Sequence, residues 1–134
     1  MIRPATVQDI PRIIDMTEQL VAFVRGPQRV CRLKTGQTLA GLIKGPDGAV
    51  LMSEGGFIAG QVIQTVISPD PVAFEFGWYA EDGSGLRLLS ALEVWAQEQG
   101  ATMLKMSCAS STVQLMLERR GYKIAEIQMI KRLS

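Results

Sequence analysis

Between Ala49 and Ala80 three runs of apolar and β-branched residues follow one another with links too short to be anything but turns. Only Glu54, Gly55 and Gly56 separate Ala49–Ser53 from Phe57–Ile67, and Pro69 and Pro71 break the chain before Val72–Ala80. Parallel strands need a crossover of about a dozen residues, so these links force antiparallel neighbours, the first pair joined by a tight glycine turn. The third run alternates: Val72, Phe74, Phe76, Trp78 and Ala80 fall on one face, Ala73, Glu75, Gly77 and Tyr79 on the other. Its aromatic face is expected to be core.

Helical spacing flanks this block. Ile2–Val7 reads as a short strand leading into a first helix, in which Asp9 is placed as N-cap and Pro11 is tolerated in the first turn. Ile10, Ile13, Ile14, Met16, Leu20, Val21 and Phe23 carry that helix, and Gly26 and Pro27 stop it. Thr35–Ile43 is expected as a short second helix, and Lys44–Gly48 as a turn with Gly45 and Gly48 at positive φ. After the sheet, the turn Gly83-Ser84-Gly85 opens a long amphipathic helix whose C′ residue is Gly100. Thr102–Cys108 reads as a strand and Thr112–Arg120 as a last helix with Ser111 as its cap. Tyr122–Leu133 reads as a closing strand. The order defines an α+β fold with one late strand-helix-strand unit, and the 134 residues, 47% of them hydrophobic, suit one domain spanning 1–134.

Composition narrows the chemistry. The chain has no histidine, so it cannot build a Ser-His-Asp or Cys-His nucleophile or a His-containing metal centre. Cys31 and Cys108 are far apart and make no Cys-x-x-Cys pair, so no metal site is expected. The methionines, Met103, Met106, Met116 and Met129 among them, read as apolar packing, as does Cys108, whose alternative is an approach to the crevice from the end of its strand. A net charge of +1 gives no case for nucleic-acid binding. The opening Met1–Thr6 lacks the apolar stretch of a signal peptide, and no run reaches the ~20 apolar residues of a membrane span. A soluble, cytoplasmic protein is expected.

The opening Ile2-Arg3-Pro4-Ala5-Thr6 with Asp9-Ile10, the Gly83-Ser84-Gly85 turn and the late Gly121-Tyr122 resemble a GNAT-superfamily acyltransferase over nearly the whole chain. The stretch Phe76-Gly77-Trp78-Tyr79, with Leu88-Leu89, Glu93, Trp95-Ala96 and Gly100-Ala101, is similar to small phage and prophage members. The resemblance implies a mixed, mostly antiparallel sheet with helices on both faces. It implies acetyl transfer from acetyl-CoA to an amine on a small molecule or a protein, by direct attack on the thioester. The family's Arg/Gln-x-x-Gly-x-Gly/Ala turn, which holds the cofactor pyrophosphate on backbone amides, places its glycines on Gly83 and Gly85. With a bulge assigned to Gly77, the implied cofactor contacts are Gly77, Trp78, Gly83, Ser84, Gly85 and Leu86. Glu75, on the strand facing the thioester, becomes a general base if burial raises its pKa toward neutrality; its alternative is a solvated cross-strand charge. Tyr79 is the candidate to orient the substrate or protonate the leaving thiolate.

The chain departs from that pattern where a basic residue is expected. Ala80 takes the position, followed by Glu81 and Asp82, whose charges are expected to repel a pyrophosphate, and Leu117 stands where the family often has tyrosine. Arg87, Arg119 and Arg120 are the candidate substitutes. These departures keep a second reading open: an inactive GNAT-fold structural or interaction protein, a homo-oligomer or a phage virion component, recognisable by an exposed apolar face.

Overall fold

The computed structural model describes residues 1–134. Five strands, β1 (Arg3–Pro4), β2 (Gly48–Met52), β3 (Gly56–Gln64), β4 (Pro71–Ala80) and β5 (Leu104–Lys105), form one sheet in the order β1-β2-β3-β4-β5. The first four pair antiparallel and β5 runs parallel to β4. The helices are α1 (Ile10–Val24), α2 (Arg32–Lys44), α3 (Gly85–Glu98) and α4 (Ser111–Arg119). This is the mixed, mostly antiparallel α+β layout expected.

The central strands read as unbroken apolar runs because helices cover both faces of the sheet. Val50, Met52, Phe57 and Ala59 point to one side, where they meet Ile13, Ile14 and Met16 of α1 and Leu39 and Leu42 of α2. Ala49 and Ile58, one residue out of phase, point to the other side, against Leu88, Leu89 and Leu92 of α3 and Leu117 of α4. Gly48 makes the tight passage from α2 into β2, since a Cβ there would lie 2.6 Å from the Leu42 carbonyl oxygen.

Several boundaries differ from the sequence reading. The Asp9 carboxylate does not cap α1; it reaches back to the Thr6 amide (2.8 Å) and grips Arg3 through two bonds of 2.8 and 2.9 Å. Arg3 and the Thr6 amide hold its pKa well below the usual carboxylate range. The left-handed residue ending α1 is Arg25 (φ 53°), ahead of Gly26. Helix α2 starts three residues earlier than expected, at Arg32, which pairs with Asp15 and Glu18 of α1. Neither Gly45 nor Gly48 has positive φ, and the glycines that do are Gly83, Gly100 and Gly121. The cap of α4 is Ser110, whose Oγ accepts from the Val113 amide, one residue before the expected Ser111.

The late strands differ more. Of Thr102–Cys108 only Leu104 and Lys105 form a strand, with the backbone of Thr102 and Met103 also bonded to Pro71 and Ala73, and Tyr122–Leu133 forms no strand. Ile127 and Leu133 are 83% and 90% exposed, and Met103 and Met129 are exposed too. Apolar spacing records a preference for burial, but it does not fix whether a segment pairs with a sheet edge. Tyr122 does pack against the α3 core as expected, with its hydroxyl donating to Glu93 at 2.7 Å.

Candidate active site

The parallel pairing of β4 with β5 ends at Phe74 and Lys105. Beyond it, Glu75–Ala80 have β3 on one side only, so alternate backbone amides and carbonyls of β4 face an opening. A cleft of about 730 Å³ fills that gap. Its floor is Glu75–Ala80, and Ser107, Cys108 and Ala109 follow β5 along one wall. Gly83, Gly85 and Leu86 enter from the start of α3, Leu20, Phe23 and Val24 from the end of α1, and Val113 and Met116 from α4. A smaller cavity of about 210 Å³ near Pro4, Leu42 and Trp95 has no titratable side chain in its walls.

A β-bulge shapes the floor. Ala59 pairs with Gly77 and Gly60 with Glu75, leaving Phe76 as the extra residue, one position before the expected Gly77. The slip resets the alternation. Glu75 lies opposite Gly60, where an added Cβ would touch Leu92 of α3, and so shares the α3 side with Trp78 instead of the Tyr79 side. Phe76 is 53% exposed in the cleft, so the expected aromatic core face breaks there, while Trp78 stays packed and donates its Nε1 proton to the Gly85 carbonyl at 3.0 Å. A Cβ on Gly77 would press into the Phe57 ring at 3.1 Å.

Glu75 is half-buried, and its Oε1 accepts one bond, from the Ser107 amide at 3.1 Å. Burial pushes its pKa up to about 7, against the smaller opposing pull of that amide. The Tyr79 ring lines the cleft, but its hydroxyl sits 2.6 Å from Gln19 Oε1 and 3.0 Å from Glu81 Oε2. Burial, with Glu81 adding to it, raises the phenol pKa and keeps the group protonated.

The turn into α3 is locked from beneath. The Asp82 carboxylate accepts from Ser84 Oγ and N, from Ser53 Oγ (2.9 Å) and from the Gly55 amide (2.9 Å), while the two serine hydroxyls touch at 2.7 Å. Ser53 and Ser84 are buried, so Ser84 supports the turn from below and, unlike its neighbours, does not border the cleft. Those bonds, the Ser84 hydroxyl first, hold Asp82 well below the usual carboxylate range. Glu81 is bound by Arg12 at 2.8 Å and by Tyr79. The expected repulsion from Glu81 and Asp82 is thus blunted, since one is paired with a cation and the other faces the β2–β3 turn. Gly83 takes φ 77°, a conformation that glycine adopts without strain, and the amides of Gly85, Leu86 and Arg87 donate to no protein acceptor. They stand at the positive end of the 14-residue α3. Among the candidate cations, Arg120 is bonded to Glu93 and Ser90, whereas Arg87 is exposed in the first turn of α3 and makes no ion pair.

Sequence reasoning missed the α1 wall, although Leu20, Phe23 and Val24 at i, i+3 and i+4 were there to be read as one helical face. Cys108, whose position at a strand end allows it to approach the cleft but whose type favours burial, is exposed and borders the cleft, because β5 ends before reaching it.

No family model matches the chain, and no curated protein matches it in sequence. Solved structures match it end to end. A mutant of the BH1408 protein from Bacillus halodurans superposes with a TM-score of 0.77 at 16% identity, covering 100% of this chain and 99% of that one. An aminoglycoside acetyltransferase, meta-AAC0020, from an uncultured soil metagenomic sample in complex with sisomicin gives 0.66 at 17% identity, covering 100% and 94%. AAC(6')-Iy in complex with the bisubstrate analogue CoA-S-monomethyl-acetylneamine gives 0.70 at 16% identity, covering 100% and 97%. The fold is that of GNAT-like acetyltransferases, and at these identities the fold is what is shared.

Proposed function

We propose that the protein is an N-acetyltransferase that moves an acetyl group from acetyl-CoA to an amine in the cleft between β4 and β5. The observation that carries this reading is the coincidence, in one cleft, of the unpaired β4 edge, the free amides at the start of α3 and the half-buried Glu75. A structure with this fold binding a CoA bisubstrate analogue adds support. The residues present fit such a cosubstrate: Gly83, Gly85 and Leu86, with Arg87 beside them, suit its phosphates, and the open edge at Gly77 and Trp78 suits an extended chain of amides. Ser84 acts from below through Asp82.

Within the chain, Glu75 takes a proton from the incoming ammonium, with a pKa near 7 suited to holding and releasing it at neutral pH. The freed nitrogen lone pair forms the C–N bond, the C–S bond breaks, and the sulfur receives a proton, leaving an amide and free CoA thiol. Tyr79 orients the acceptor with its ring, its hydroxyl being committed to Gln19 and Glu81. The apolar walls exclude water, so positioning and desolvation supply most of the acceleration. Incubation with acetyl-CoA and a panel of amines tests this through release of free thiol matched by acetyl-amine on a mass spectrum. Thiol release without acetyl-amine would sink it.

A second reading, an interaction component of a larger assembly, is supported by the exposed apolar residues of the Tyr122–Leu133 segment, Ile127 and Leu133 foremost. It predicts stable incorporation of the protein into a particle and no turnover.

A further inference from the structure

The walls of the cleft point to a particular kind of acceptor, an inference that rests on the acetyl-transfer reading. Twelve of its seventeen lining residues are apolar, and Glu75 is the one carboxylate among them. Acids on the adjoining α1 and the turn into α3 are engaged: Glu81 with Arg12, Asp82 with Ser53 and Ser84, and Asp15 and Glu18 with Arg32. A polycation entering this cleft would therefore meet one carboxylate in its walls.

Apolar side chains, in contrast, are displayed to it. The core-facing residues of α1 are Ile13, Ile14 and Met16, and past them the helix turns Leu20, Phe23 and Val24 toward the cleft. Phe23 is 82% exposed, and Phe76 is put into the opening by the bulge. An exposed phenyl costs solvation free energy that a core position would recover, so two of them on one concave surface mark a place where an apolar ligand takes over the contact.

We propose that the acceptor is a primary amine with a single positive charge on an apolar, ring-bearing body, seated with that body against Leu20, Phe23, Val24 and Phe76 and its nitrogen reaching Glu75 through the opening between β4 and β5. One carboxylate matches one ammonium, and the hydrocarbon walls match the remainder. Polyamines and amino sugars, whose further charges would lose water without gaining a partner, are disfavoured.

The probes are 2-phenylethylamine, spermidine and kanamycin, with two readouts: direct binding by saturation-transfer NMR without acetyl-CoA, and acetyl-amine formation with it. Binding and acetylation of 2-phenylethylamine at a kcat/KM at least tenfold above both polycations is the expected result. Phe23→Ser, at a position too exposed to threaten folding, is expected to raise KM for 2-phenylethylamine at least tenfold and to leave the acetyl-CoA Kd unchanged. Equal or better use of spermidine or kanamycin overturns the proposal, as does an unchanged KM in Phe23→Ser. If 2-phenylethylamine binds in a Phe23-dependent way and is never acetylated, the ligand class stands and the transferase reading falls. If acetyl-CoA binds and 2-phenylethylamine does not, the ligand class falls and the transferase reading stands.

Discussion

Replacing Glu75 by glutamine removes one titratable group and keeps the shape of the side chain and its acceptor for the Ser107 amide. Burial lifts the carboxyl from its ordinary 4.5 to about 7. Between those values the folded protein holds a proton that the unfolded chain has released, so stability falls as pH rises from about 4.5 to 7 and is level above. Each pH unit in that window is worth about 1.4 kcal/mol, which makes the charged carboxylate a cost of about 3 kcal/mol at pH 8. Glu75→Gln is therefore expected to be near neutral for stability at pH 5 and stabilising by about 2–3 kcal/mol at pH 8. Urea unfolding followed by tryptophan fluorescence at the two pH values measures the difference. The same variant is expected to lose about 10²- to 10⁴-fold in acetyl transfer, the usual contribution of a general base. A stability change of equal size at both pH values would refute the reasoning, because the penalty would then not come from burying charge.

Three further outcomes follow from other parts of the molecule. Leu89→Ala, at a fully buried position of α3, is expected to cost about 2–5 kcal/mol in urea unfolding, since the sheet beneath cannot collapse to fill the hole. Arg87→Ala is expected to weaken acetyl-CoA binding by about 3- to 10-fold and to flatten its salt dependence, as a point charge beside free helix-start amides would. Glu81→Gln is expected to leave the acetyl-CoA Kd within about threefold, because Arg12 already offsets that charge; marked tightening would mean that the carboxylate faces the phosphates.

The parts of this fold that were legible in the sequence are those set by local spacing. The hairpin at Gly55–Gly56, the amphipathic α3 and the C′ glycine Gly100 each follow from a period or a backbone requirement within a few residues. Of the candidate site residues, Glu75, Gly77, Trp78, Tyr79, Gly83, Gly85 and Leu86 border one cleft, and Ser84 lies beneath it. Its chemistry was harder to read, because it depends on pairings distant in sequence. One extra residue at Phe76 moves Glu75 to the α3 side, and nothing local to Phe74–Gly77 reveals which residue lacks a partner across on β3. The bond between Arg12 and Glu81 spans 69 residues and blunts a repulsion that charge counting alone would predict. Tyr122–Leu133 has the composition of a strand but pairs with neither edge of the sheet, and spacing within the segment does not decide that.

The acetyl-transfer account depends first on the cleft holding its cosubstrate, and calorimetric titration of the protein with acetyl-CoA tests this most directly. Free CoA and a phosphate-matched nucleotide serve as controls. The account predicts one site of micromolar affinity for acetyl-CoA, with the nucleotide much weaker because it leaves the open edge of β4 unfilled. Absence of binding at millimolar acetyl-CoA would contradict it and leave the assembly role as the surviving reading.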